Sequence, residues 1–161
     1  MLISNVDLAL GWDQVEVALC KAFEGAEFVN EEYSQKRILE VVHASIYKPD
    51  IVHMLACTPD PEGPYQVIGG IMGLPSFSPP NKERVTGIGW MFVDPDLPPR
   101  ARLDVTRRMR EDMRTHLFGF DYQRLEVTIG TKAGENALSR FFDLKYEPSP
   151  EDPHRWVGDL T

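Results

Sequence analysis

The sequence predicts an α/β (α+β) fold with a mixed, mostly antiparallel central sheet of about six to seven strands flanked by about four helices. Two observations lead to this expectation. Apolar residues first recur at helical spacing over about residues 12–47, and then occur in short strand-like runs between clusters of Gly and Pro. Beyond residue 98 the two patterns alternate, as they do where helices cover a sheet.

The first part of the chain predicts one short strand and two helices. A strand over Leu2–Asn5 precedes a helix that starts at Trp12 and that Gly25 ends. The second helix runs over about Glu31–Tyr47, because Pro49 prevents its continuation.

The rest of the chain predicts three strands in a meander, a long helix, a strand, a short helix and the final strands. Pro98 and Pro99 suit the first turn of the long helix, where a missing N–H is least costly. In order, the elements are Ile51–Thr58, Tyr65–Leu74, Val85–Val93, Pro98–Leu117, Leu125–Gly130, Gly134–Leu144, Tyr146 and Trp156–Leu160.

The composition is that of one globular domain, which we assign to residues 1–161. Hydrophobic residues make up 42% and charged residues 26% of the chain. A net charge of −8, from 17 basic and 25 acidic residues, argues against nucleic acid as the partner. No signal peptide is visible, and no apolar run approaches the roughly 20 residues of a membrane span. We therefore expect a soluble, cytoplasmic protein that does not bind membranes.

Two motifs resemble the GNAT superfamily of N-acetyltransferases. They are Val93-Asp94-Pro95-Asp96 before the long helix, and Asn136–Phe142 before Tyr146. The order of elements resembles that family over nearly the whole chain. The resemblance implies a loop whose N–H groups bind the pyrophosphate of acetyl-coenzyme A at a helix N-terminus. The residues that it implies for cofactor binding are Val93, Arg100, Ala101, Arg102 and Asn136.

The chain departs from the family pattern at two places. The family's Arg-Gly-x-Gly falls on Pro98-Pro99-Arg100-Ala101, so that two N–H donors and the glycine are lost. Where many members have a Tyr that protonates the leaving thiolate, this chain has Phe141, or Phe142 under a shifted alignment. Tyr146 matches a strand-starting Phe of the family, which predicts a core residue.

Glu126, on the strand after the long helix, is the candidate general base. A solvated carboxylate on the outer face of an alternating strand is the simpler interpretation. His53 alternates with Val52 and Met54 and could point to either face. The spacing of the other histidines suggests no metal site, and Cys20 and Cys57 are interpreted as small buried residues.

Two functions remain open at this stage. The first is a GNAT-fold protein with a degenerate acetyl-coenzyme A loop that serves as a non-catalytic binding or structural module. It would have a protein partner or belong to a larger assembly, and a homo-oligomer is one form that such an assembly could take. Asn136–Tyr146 also weakly resembles small GNAT-like proteins of tailed phages, which would place the protein in a virion or the host cytoplasm. The alternative is an active N-acetyltransferase that uses acetyl-coenzyme A on an unknown amine, bound between the first two helices and the strands Tyr65–Leu74 and Val85–Val93.

Overall fold

The protein is described by a computed structural model covering residues 2–3, 5–29, 34–48, 51–60, 63–74, 85–119 and 124–159. Seven strands and five helices lie in this part of the chain. The strands are β1 (Leu2–Ile3), β2 (Val52–Asp60), β3 (Gly63–Leu74), β4 (Val85–Val93), β5 (Arg124–Thr128), β6 (Lys145–Tyr146) and β7 (Arg155–Asp159). The helices are α1 (Asn5–Leu10), α2 (Trp12–Phe23), α3 (Gln35–Ser45), α4 (Pro99–Gly119) and α5 (Lys132–Phe141).

The strands form one sheet in the order β1-β2-β3-β4-β5-β7-β6. All neighbours are antiparallel except β4 and β5, which run parallel because α4 carries the chain across the sheet between them. The mixed, mostly antiparallel sheet predicted from the sequence is confirmed.

The two faces of the sheet are covered by different helices. On one face Met54, Ile71 and Leu125 pack against Met109 and Met113 of α4, in a cluster that also includes residues of α5. The opposite face packs against α1, α2 and α3 in a second cluster. Its central residues are Leu8, Val15, Leu19, Val42, Leu55, Met72, Trp90 and Phe92. Burial of these apolar side chains is the main force that holds the helices on the sheet.

Three details differ from the sequence-based expectations. Residues 5–10 form the short helix α1, where Asn5 was expected to end a strand. Tyr146 is 56% exposed rather than in the core, because its ring lies on Trp156 at the outer edge of the sheet and its hydroxyl donates to the Pro153 carbonyl. Leu103, whose spacing in α4 is that of a buried position, is 38% exposed.

Some expectations fall on residues outside the described ranges. They include the predicted start of the second helix at residues 31–33 and the predicted end of the last strand at residue 160. Among the described residues, no helix has the length and apolar character needed to cross a bilayer.

Candidate active site in the opening between β4 and β5

β4 and β5 lie together at only one end. Val85 pairs with Arg124 and Thr86 with Leu125, and no further pairing is recorded between the described residues of the two strands. At the next step Gly87 still lies against β5, since a Cβ there would be 2.8 Å from the Glu126 carbonyl oxygen. Both strands continue, to Val93 and Thr128, so an opening in the sheet follows Gly87.

A β-bulge in β4 lies at this opening. Met72 of β3 pairs with Trp90 and the next residue, Gly73, pairs with Ile88, which leaves Gly89 as the extra residue. The bulge shifts the alternation of side chains, so that Ile88 packs with the α4 side while Trp90 packs with the α1–α3 side. Gly89 therefore has no partner in the β3–β4 ladder.

Three cavities lie along this opening, and Gly89 lines two of them. The first, of about 770 Å³, lies on the α3 side and is here named the acceptor-side cavity; Met72, Leu74, Trp90, Glu126 and Arg37 line it. The second, of about 480 Å³, lies between the end of β4 and the helices α4 and α5, and is here named the α4–α5 groove.

The third cavity, of about 90 Å³, links the other two through shared lining residues. It has Gly89 and Trp90 in common with the acceptor-side cavity, and Met91 and Gly134 in common with the α4–α5 groove. Through these shared residues the three cavities adjoin one another along the opening between β4 and β5, and together they are here named the passage.

The N-terminus of α4 lies at the α4–α5 groove. The residue before the helix is Pro98, whose side chain has no oxygen that could cap the first N–H groups. The first intrahelical bond of α4 runs from the Arg102 N–H to the Pro98 carbonyl, at 3.0 Å. The N–H groups of Arg100 and Ala101 precede that bond and have no acceptor within the helix. The N-terminus of α5 differs, since the hydroxyl of Thr131 accepts a hydrogen bond from the Gly134 N–H.

The turn between β4 and α4 is fixed by α2. Lys21 Nζ lies 2.9 Å from Asp94 Oδ1 and 2.7 Å from Asp96 Oδ2, and the Asp96 N–H donates to Asp94 Oδ1. Burial alone would raise the pKa of the Asp94 carboxyl, but the bonds from Lys21 and Asp96 outweigh it and hold the pKa below its usual value. The hydrogen bonds to Asp96 and Asp94 raise the pKa of Lys21.

Solved structures with the same architecture identify the fold. A GNAT family N-acetyltransferase (YhbS) from Escherichia coli in complex with CoA superposes with a TM-score of 0.69 at 17% identity, covering 100% of this chain and 80% of that chain. An aminoglycoside 6'-acetyltransferase type Ii superposes with a TM-score of 0.66 at 12% identity, covering 100% of this chain and 96% of that chain. This chain has the GNAT fold.

A third structure with this fold contains a protein partner. It is a variant of the AtaT toxin bound to the C-terminus of the antitoxin AtaR and acetyl-CoA, with a TM-score of 0.57 at 10% identity, covering 86% of this chain and 85% of that chain. No protein-family model matches the sequence, and no curated protein matches it. The resemblance to small phage proteins stays a prediction.

The residues that the GNAT resemblance implied for the cofactor lie in different places. Val93 and Arg102 line the α4–α5 groove, and Arg100 and Ala101 supply the two open N–H groups at its edge. Asn136 is exposed on α5 and is not among the residues that line the groove.

The two residues that could match the family's Tyr lie in different surroundings. Phe141 lines the α4–α5 groove, with the guanidinium of Arg110 5.9 Å from its ring centre. Phe142 is 5% exposed and belongs to the core on that side of the sheet. The α4–α5 groove therefore has an aromatic side chain at Phe141, but no hydroxyl on it.

Glu126 faces the acceptor-side cavity and is held by two arginines. Its Oε1 accepts a hydrogen bond of 2.7 Å from Arg155 Nη2 and lies 3.4 Å from Arg124 Nε. Glu147 bridges the same two arginines, at 3.2 Å from Arg155 Nη1 and 3.7 Å from Arg124 Nη2. The bond from Glu126 raises the pKa of Arg155. Glu126 is thus a positioned carboxylate at the cavity wall.

His53 lies away from the passage, in the core between β2 and α3. It is 1% exposed, and its Nε2 is 3.1 Å from the Ser45 hydroxyl. That hydroxyl donates its proton to the Val42 carbonyl, so His53 Nε2 must be the donor to Ser45. Burial lowers the pKa of His53 to about 4, which keeps the ring neutral. No cluster of metal-binding side chains occurs among the described residues.

Gly89 is the site residue that the sequence analysis missed. Its signal in the sequence is the pair Gly87 and Gly89, two residues without side chains within a strand of otherwise bulky residues. A glycine pair of this kind predicts a bulge or a close approach, but it does not say that the neighbouring strand moves away there.

Proposed function

We propose that this protein is an N-acetyltransferase that takes the acetyl group from acetyl-coenzyme A and passes it to an amine. The observation that carries the proposal is the passage between β4 and β5. It joins a groove at a helix N-terminus on one side of the sheet to a separate cavity on the other side, with Gly89 between them. Two substrates that enter from opposite sides would meet at this residue. We also propose a cytoplasmic location.

The first turn of α4 is suited to phosphate groups. The N–H groups of Arg100 and Ala101 are open, and the positive end of the helix dipole lies at the same point. The first turn contains no acidic residue. Arg100 and Arg102 add positive charge at the helix end where the dipole is also positive, so the two repel each other. A bound anion would relieve that repulsion. Pro98 and Pro99 reduce the number of N–H donors without removing the site.

The α4–α5 groove is suited to the long pantetheine arm of the coenzyme. Its walls are largely apolar and come from the end of β4 and from α5, including Met91, Val93 and Phe141. When bound, acetyl-coenzyme A would supply an acetyl group activated as a thioester. The residues of the chain would then bind it, orient it and exclude water at the opening beside Gly89.

Transfer requires little acid–base chemistry from the protein. The acceptor nitrogen forms a bond with the acetyl carbon as the carbon–sulfur bond breaks, the electron pair leaves with sulfur, and the amine proton passes to water. A thiol has a pKa of about 8.5, so sulfur can leave as a thiolate although Phe141 cannot protonate it. We propose that the backbone N–H of Gly89, which has no partner in the β3–β4 ladder, would donate a hydrogen bond to the acetyl oxygen.

Calorimetric titration with acetyl-coenzyme A tests the binding half of the proposal. The wild-type protein should bind it with micromolar affinity. Arg100→Ala combined with Arg102→Ala should weaken binding at least about tenfold, since two charge-assisted contacts to phosphate are lost. Arg107→Ala combined with Arg108→Ala is the matched control, because both residues are exposed on the same helix beyond its first turn. No binding to the wild type at millimolar ligand would contradict the proposal.

A second candidate is the non-catalytic module with a protein partner. It is favoured by the two prolines at the start of α4 and by the missing hydroxyl at Phe141. The AtaT structure described above is an example of the fold in complex with a protein. Binding of acetyl-coenzyme A without product formation from any amine, together with stoichiometric co-purification of a partner, would favour this candidate.

A further inference from the structure

We infer that the acceptor is an amine that also carries a carboxylate and an apolar, preferably aromatic, group, as an apolar amino acid does. The inference rests on the proposed function, because it names the substrate class of the acceptor-side cavity. Three features of that cavity carry it: an apolar floor, an arginine whose guanidinium has no partner among the described residues, and a carboxylate with one oxygen that has no contact among them.

The floor of the cavity selects for an apolar body. Met72, Leu74 and Trp90 form it, from the neighbouring strands β3 and β4. Trp90 is 5% exposed and stacks on Phe92, with 5.2 Å between ring centres, so its ring is held in one orientation. A ligand ring that packs on this surface would gain apolar burial.

Arg37 supplies the charge that selects for the carboxylate. It lies in the first turn of α3 and lines the cavity. Within the described part of the chain, its guanidinium has no hydrogen bond or ion pair, whereas the neighbouring Lys36 is paired with Glu40. A guanidinium binds a carboxylate through two parallel hydrogen bonds. A single guanidinium matches the single charge of a carboxylate better than the double charge of a phosphate.

Glu126 selects for a single ammonium or amine group rather than several. Its Oε1 is occupied by Arg155 and Arg124, and no contact is recorded for its Oε2 with any described residue. Oε2 can therefore accept a hydrogen bond from the acceptor nitrogen. The two arginines behind Glu126 and the unpaired Arg37 oppose the entry of an acceptor with several positive charges.

The group transfer balances with acetyl-coenzyme A as the acetyl donor. The ammonium group of the amino acid first gives one proton to water, because only the neutral amine has a lone pair that can attack. The nitrogen then forms the amide bond as the carbon–sulfur bond breaks, the electron pair leaves with the thiolate, and a second proton passes from the nitrogen to water. The product is an N-acetyl amino acid, which has lost the positive charge on nitrogen. It therefore no longer attracts Glu126, and this favours its release.

Equilibrium binding with three matched probes tests the inference without requiring turnover. L-phenylalanine, L-phenylalaninamide and 2-phenylethylamine share the ring and the amine, and only the first carries a carboxylate. Calorimetry on the full chain should show at least about tenfold tighter binding of L-phenylalanine than of the other two. Arg37→Ala should remove that preference by weakening the binding of L-phenylalanine, and it should not weaken the binding of the amide or the amine. Lys36→Ala should keep the preference.

The outcomes separate this inference from the proposed function. Equal affinity for the three probes, a preference that survives Arg37→Ala, or no binding of any probe would each overturn the acceptor class. The same protein sample titrated with acetyl-coenzyme A reports on the proposed function independently. Binding of acetyl-coenzyme A without a carboxylate preference would leave the acetyltransferase proposal standing with another acceptor.

Discussion

At the residue scale, the pKa of His53 is set mainly by the burial of its ring and less by its hydrogen bond. The ring is enclosed between β2, α3 and Trp90, and only one of its nitrogens has a partner, the Ser45 hydroxyl. The alternation of Val52, His53 and Met54 in the sequence leaves both faces open, because a strand covered by helices on each side has no outer face. The direction in which His53 points therefore depends on how α3 packs against β2, and the local sequence pattern does not reveal that packing.

His53 predicts that the protein loses stability in mild acid. Its pKa is about 4 in the folded state and 6.5 in the unfolded state, so the unfolded chain takes up the proton first as the pH falls. The free energy of unfolding should thus decrease between pH 6.5 and 4, by roughly 3 kcal/mol in total. Urea unfolding at several pH values measures this, and His53→Leu should flatten the dependence over that range.

An NMR titration of the wild-type protein tests the same prediction if the His53→Leu variant does not fold. The imidazole proton resonances of His53, followed by NMR in the wild type, should not move between pH 7 and 5. A titration midpoint near 6.5 would show that the ring is accessible to protons and would contradict the described burial.

At the element scale, the opening of the sheet depends on two glycines of β4. Gly87 allows β5 to lie close, because a Cβ there would meet the backbone oxygen of Glu126. Two residues further, a Cβ on Gly89 would meet the terminal methyl of Met72 instead, which is the flexible end of a side chain. Strand lengths and the glycine pair could be predicted from the sequence. The divergence of β5 could not, because it arises from non-local packing under α4 and α5.

Alanine substitutions at these glycines should separate stability from activity. Gly87→Ala forces two backbones apart and should cost about 1–3 kcal/mol of unfolding free energy. Gly89→Ala should cost less than half as much, since Met72 can move into the acceptor-side cavity, but it should reduce acetyl transfer strongly by filling the meeting point. Urea midpoints and initial rates measured on both variants test this. A Gly89→Ala variant with wild-type activity would contradict the role of Gly89.

At the scale of the whole molecule, the order of elements in the sequence predicts the GNAT fold, but it does not predict the passage between β4 and β5. Val93, from the first of the two motifs, lines the α4–α5 groove, whereas Asn136 does not. The sequence at Pro98 and Pro99 suggests a lost coenzyme loop. The folded chain adds the two open N–H groups after them and the passage between β4 and β5, and both depend on how α4 is placed on β4.

Detection of acetylated product by mass spectrometry tests the central claim most directly. The purified full chain would be incubated with acetyl-coenzyme A and a mixture of apolar amino acids, their amides and simple arylalkylamines, with thiol release followed in parallel. We expect an N-acetyl product and equal release of coenzyme A thiol, with a Michaelis constant for acetyl-coenzyme A that rises in the Arg100→Ala, Arg102→Ala variant. Neither product nor thiol release from any amine in the mixture would contradict the assignment as an acetyltransferase.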